Sequence, residues 1–236
     1  MSISSPCLIT PSKLSLFSLS PVVGAWWEEL AAQKLFVGER PAPSALDQTL
    51  FADGLRHEQV LLSKLESQGN SIARLPGKQN EADYAATKEA MAEGFAFIHQ
   101  ASLCNEEMRG SADLLRRIEL SSALGEWSYI PIECKLASKP KTTFLVQASA
   151  YCELLTPLLG SRPDHFELYL GGWRFQRYAT DQFWAWAFCL SPTVSTWQSA
   201  APSAYQSWWV HPASTPASQA RCRRQSRSNG SATSPS

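Results

Sequence analysis

In the run Trp127-Ser-Tyr-Ile-Pro-Ile-Glu-Cys-Lys-Leu-Ala137, a carboxylate at Glu133 and an ammonium at Lys135 interrupt an otherwise apolar segment. Residues two apart on a strand point to one face, about 7 Å apart along the backbone. A second carboxylate, Asp113, stands twenty residues earlier in Arg109-Gly-Ser-Ala-Asp-Leu-Leu115. Gly110 in that run leaves room for backbone or a ligand to come close. Paired carboxylates are the hard oxygen donors that Mg²⁺ prefers. Hydrolysis of a phosphodiester needs an oriented, partly deprotonated water, and neutralisation of the charge developing on the phosphate and the leaving oxygen. A lysine beside the carboxylates, its pKa lowered by burial and raised by their charge, serves either to orient that water or to stabilise the phosphate. Alone, Glu133 and Lys135 would more often be a solvent-facing ion pair on a sheet edge, and it is the further members of the set that favour catalysis.

The other members of the set are ordered along the chain. Gln147 and Tyr151, in Val146-Gln-Ala-Ser-Ala-Tyr151, are four residues apart and share one face of a helix. Earlier, Gly54 and Glu58 have the same spacing, with His57 beside Glu58. Gly110-Ser-Ala-Asp113 followed by Ile132-Glu133-Cys134-Lys135 resembles the D…(D/E)-x-K core of the RecB-like nucleases of the PD-(D/E)XK superfamily, and Gln147-x-x-x-Tyr151 resembles their Q-x-x-x-Y signature. The resemblance runs from about residue 8 to 186 and is to the amino-terminal nuclease part of a bacterial RecB-type protein.

That resemblance implies an α/β fold with a restriction-endonuclease-like mixed sheet flanked by helices, and Mg²⁺- or Mn²⁺-dependent hydrolysis of DNA in repair or recombination. It implies that Asp113 and Glu133 bind the metal, with the Cys134 carbonyl as an extra ligand and either Glu58 or His57 reaching the same ion. Lys135 would serve the water, while Gln147 and Tyr151 hold Lys135 or the DNA backbone. DNA is the expected partner, together with a helicase or further domain of a longer parent protein. The cysteines do not follow the iron–sulfur pattern of some relatives, so no cluster is expected. The rival reading is a truncated, catalytically silent domain that keeps the fold and binds DNA or a protein.

The elements that must position these residues follow from pattern. Thr10-Pro11 marks a helix start leading into Leu14 and Phe17, and on towards Trp26 and Leu30. Residues 45–66 carry leucines at a helical period and include Gly54, His57 and Glu58. Residues 71–75 read as a short strand, and 81–93 as a helix stopped by Gly94. Three strands follow at 95–103, 109–118 and 127–136, the last two pairing as a hairpin across the turn material of 119–126. Residues 142–159 read as a helix and 165–178 as two strands around Gly171-Gly172. The order describes a mixed sheet with helices packed on it.

Composition sets the outer limits. A chain of 236 residues with 44% apolar residues can bury a sizeable core. The formal charge is zero, so any attraction for nucleic acid must be local; residues 109–141 hold six Lys and Arg against four Asp and Glu. Trp26 and Trp27 read as core or interface aromatics rather than base-stacking platforms. Six cysteines without a C-x-x-C pair fit neither a zinc ribbon nor a disulfide scaffold, and point to the cytoplasm. No leader and no membrane span is expected, and no membrane partner. After Asp181 the chain has no Asp, Glu or Lys, yet it holds Trp197, Trp208 and Trp209. Residues 187–236 therefore read as a disordered tail whose composition suits out-of-frame translation.

Overall fold

A computed structural model of the chain describes residues 9–17, 42–172 and 174–183. The expectations for Trp26, Trp27 and Leu30, and for the tail at 187–236, lie outside the described residues.

Thr10 opens helix α1 (Pro11–Phe17), its hydroxyl accepting the Lys13 N–H at 3.2 Å. Helix α2 (Ala45–Ser67) starts at a capping box: Ser44 Oγ accepts the Asp47 N–H, and the Asp47 carboxylate accepts the Ser44 N–H. Strand β1 (Ile72–Arg74) and helix α3 (Glu81–Glu93) precede strands β2 (Phe97–Cys104), β3 (Arg109–Ile118) and β4 (Ser128–Lys135). Helix α4 (Thr142–Leu159) then leads to strands β5 (His165–Leu170) and β6 (Arg174–Ala179). Phe95 and Ala96, expected in β2, stay in the connection, where Phe95 O accepts the Tyr129 hydroxyl and Ala96 O accepts the Arg117 N–H.

The six strands form one sheet in the order β1-β2-β3-β4-β5-β6. β1 with β2 and β4 with β5 are parallel, joined by crossovers that contain α3 and α4, while the other neighbours are antiparallel. On one face Val146, Ala150, Tyr151 and Leu154 of α4 pack with Leu14 of α1, Met91 of α3 and the sheet residues Ile98, Leu115 and Tyr129. On the other, Leu61, Leu62 and Leu65 of α2 cover Phe97, Leu114, Ile132 and Tyr169. β4 lies between these two layers, which is why Ser128 through Glu133 are all buried. The first turns of α2 make no such contact, and Leu46, Leu50, Phe51 and Leu55 are exposed. Among the described residues no helix is long and apolar enough to cross a membrane, and Cys104, Cys134 and Cys152 are free thiols.

One irregularity shapes the sheet where the site lies. Strict alternation from Phe97 and Leu114 would send Ala101, Leu103 and Ala112 to the α2 side, but they pack in the α4-side cluster. The switch falls at Gln100, whose φ is 55, and at Asp113, which the register places opposite it. A left-handed residue inside a strand turns the side chains that follow it to the other face.

Candidate functional site

Continuing the β3–β4 register beyond Leu114↔Ile132 would pair Asp113 with Glu133, but the ladder stops there. The Cys134 N–H instead donates to Asp113 Oδ2 at 2.8 Å, so a side chain takes the place of a backbone acceptor. β4 meanwhile continues its parallel pairing with β5 through Lys135↔Leu170. The two strands therefore part at Asp113, and the carboxylates of Asp113 and Glu133 lie in the wedge between them.

Glu133 is 1% exposed in a central strand, which excludes a solvent-facing pair on a sheet edge. Lys135 Nζ forms an ion pair with Glu133 Oε1 at 2.5 Å and lies 5.5 Å from the centroid of the Phe144 ring. Burial and then the charge of Glu133 hold the Asp113 carboxyl well above the ordinary carboxylate range, against the pull of Lys135. Glu133 is raised too, chiefly by burial, with Lys135 opposing. Lys135 itself is desolvated, but Glu133 and Asp113 outweigh that and raise its pKa, so it is an ammonium.

Of the two neighbours on α2, Glu58 is the one electrostatically linked to this group: its charge acts on both Asp113 and Glu133, and that of Lys135 acts on it. Its Oε1 accepts from Gln100 Nε2 at 2.9 Å and contacts His99 Nε2 at 2.5 Å. Burial works against the charged form of Glu58, yet these two partners and Lys135 lower its pKa, so it is ionised. The ring of His57 is stacked on Tyr169, centroids 4.7 Å apart, on the α2 side of the sheet. The Cys134 side chain packs on that same side, and burial and the nearby carboxylates keep its thiol protonated.

Gln147 and Tyr151 approach from α4. Burial raises the Tyr151 phenol well above its usual range, with Glu133 and Asp113 adding to this and a hydrogen bond with Gln147 opposing. The neutral hydroxyl donates to Ser111 O at 2.7 Å, so its partner is the backbone of β3 rather than Lys135. This contact also decides what Gly110 makes room for: a Cβ there would lie 2.8 Å from Pro11 Cδ and 3.0 Å from Tyr151 Cε1. The close approach belongs to α1 and α4, not to a ligand.

Sequence reasoning passed over His99, Gln100, Ser111 and Phe144, which all touch this group. Phe144 carried a signal, standing three residues before Gln147 and so near it on the helix surface. The other three carried none.

Among the described residues no group of three or more His, Cys, Asp and Glu side chains is gathered to enclose an ion. The wedge offers two carboxylates, with Glu58 held to one side on His99 and Gln100. Two carboxylates suffice for Mg²⁺, which keeps several waters and takes further oxygens from a phosphate. A desolvated like-charged pair that is hard to ionise together is also what a divalent cation would relieve. The residues present therefore fit a hard divalent ion. The chain matches no model of a known protein family and none of the curated proteins.

Proposed function

We propose that the chain is a Mg²⁺- or Mn²⁺-dependent nuclease that hydrolyses DNA phosphodiester bonds, built on a restriction-endonuclease-like sheet and related to the RecB-like nucleases. The observation that carries this reading is the pairing of half-buried Asp113 with fully buried Glu133, with Lys135 on it, set where β3 and β4 separate. A divalent cation held there would polarise a phosphate oxygen and ease deprotonation of a water. Asp113 and Glu133 supply its protein oxygens, with the Cys134 carbonyl as a further donor. Lys135, charged and oriented by Glu133 and the Phe144 ring, donates from Nζ to the phosphate or the water and acts as a cation, not as a base. Tyr151 fixes the β3 backbone two residues from Asp113. DNA as substrate is supported by the excess of Lys and Arg over residues 109–141, which grows once a bound cation offsets the two carboxylates.

The test is incubation of the full chain with labelled single- and double-stranded DNA and Mg²⁺ or Mn²⁺. Cleavage is expected, abolished by EDTA and by Asp113→Ala. Lys135→Ala is expected to keep its metal affinity and lose roughly 10²-fold or more in rate. Wild-type rates in Lys135→Ala would exclude its role. The alternative, a silent domain that binds DNA or a partner, draws on the composition break after Asp181. It is the outcome if the chain binds metal and DNA but cuts neither substrate.

A further inference from the structure

Gln100 and Gln79 are the two non-glycine residues with positive φ among the described residues, and Gln100 is the one inside a strand. That conformation costs an L side chain energy, so something must hold it. Gln100 Nε2 donates to Glu58 Oε1 at 2.9 Å, and Gln100 Oε1 accepts from Ser111 Oγ at 3.2 Å. Both ends of the amide are thus assigned, with its NH₂ towards Glu58. Gly77 closes over it: a Cβ at that residue would stand 2.9 Å from Gln100 Oε1 and 3.0 Å from Ser111 Oγ. Across the β2–β3 ladder, between the pairs His99↔Leu114 and Ala101↔Ala112, Gln100 stands opposite Asp113. Its neighbour His99 meets the same oxygen of Glu58, which leaves Oε2 without a hydrogen bond among the described residues.

We infer that Gln100 is a positioning residue for the cation site: by holding Oε1 of Glu58 it fixes that side chain beside Asp113 and Glu133, as a third carboxylate acting on the ion through its water. The inference rests on the proposed metal site. The left-handed backbone is what brings the Gln100 amide to Glu58 from a strand position whose neighbours alternate between faces. Outer partners of this kind tune how a ligand meets its metal.

The experiment is calorimetric titration of Mn²⁺ into the full chain and into Gln100→Gly, alone and combined with Glu58→Gln. Glycine takes the positive φ without strain and removes the side chain with its amide, and Gln100→Asn, which also tolerates this conformation but is one methylene shorter, repeats the test if the glycine variant fails to fold. Gln100→Gly is expected to bind Mn²⁺ about ten-fold more weakly, and to have no further effect in the Glu58→Gln background. Unchanged or tighter binding in Gln100→Gly would overturn the inference, as would an equal loss with and without Glu58. If Glu58→Gln alone abolishes detectable binding, the single Gln100 variant decides by the same criterion. A wild-type chain that binds no Mn²⁺ would instead remove the metal site itself.

Discussion

Burial decides the protonation of Asp113 before any cation arrives. Desolvation and the charge of Glu133 keep its carboxyl protonated far above the range near pH 4 where an unfolded aspartate ionises. A carboxyl whose folded pKa exceeds its unfolded one contributes stability below the unfolded value, and that contribution is lost as pH rises through the folded value. Glu58, with its pKa lowered, contributes in the opposite sense, so a whole-chain profile mixes the two. The comparison of wild type with Asp113→Asn separates them. In EDTA, the wild-type melting midpoint should fall more steeply with rising pH above about 4 than that of Asp113→Asn, which keeps the shape but cannot ionise. Parallel profiles for the two proteins would mean that Asp113 is not held protonated in the wedge.

At the level of elements, α4 serves the site by bracing β3. The Tyr151 hydroxyl on Ser111 O and the ring against Gly110 tie the helix to the strand that carries Asp113. Tyr151→Phe removes the hydroxyl with its hydrogen bonds to Ser111 O and Gln147, together worth about 1 kcal/mol or more, so the melting midpoint should fall by at least roughly 2–4 °C. An unchanged midpoint in a thermal melt would show that these bonds carry no load. The strands and helices themselves were legible because their patterns are local: leucine period in α2, the stop at Gly94 after α3, and the apolar run of β4 broken only by Glu133 and Lys135. Glu133 and Lys135 were legible for the same reason, as charged residues in an apolar strand, and Asp113 through its order ahead of them in the motif. Gln100, His99 and Ser111 were not. Their partners lie across the sheet or 41 and 42 residues away on α2, and nothing in the sequence marks Gln100 as a left-handed residue. The helical period of α2 likewise could not tell which leucines would be covered, since Leu61, Leu62 and Leu65 meet the sheet while Leu46, Leu50 and Leu55 do not.

For the molecule as a whole, the fold brings residues from α2, β2, β3, β4 and α4 together around the carboxylates of Asp113 and Glu133. With a formal charge of zero over 236 residues, the attraction for DNA that the proposed function requires would have to arise there, from Lys135, the nearby basic residues and a bound cation. The cation is therefore the centre of the account, and its binding can be read without reference to DNA. Calorimetric titration of Mg²⁺ into the full chain should show a single site, with affinity rising with pH as the carboxyl protons are displaced, and Asp113→Ala should abolish it. No binding by the wild type, or the same affinity in Asp113→Ala, would contradict the assignment of Asp113 and Glu133 as a metal site.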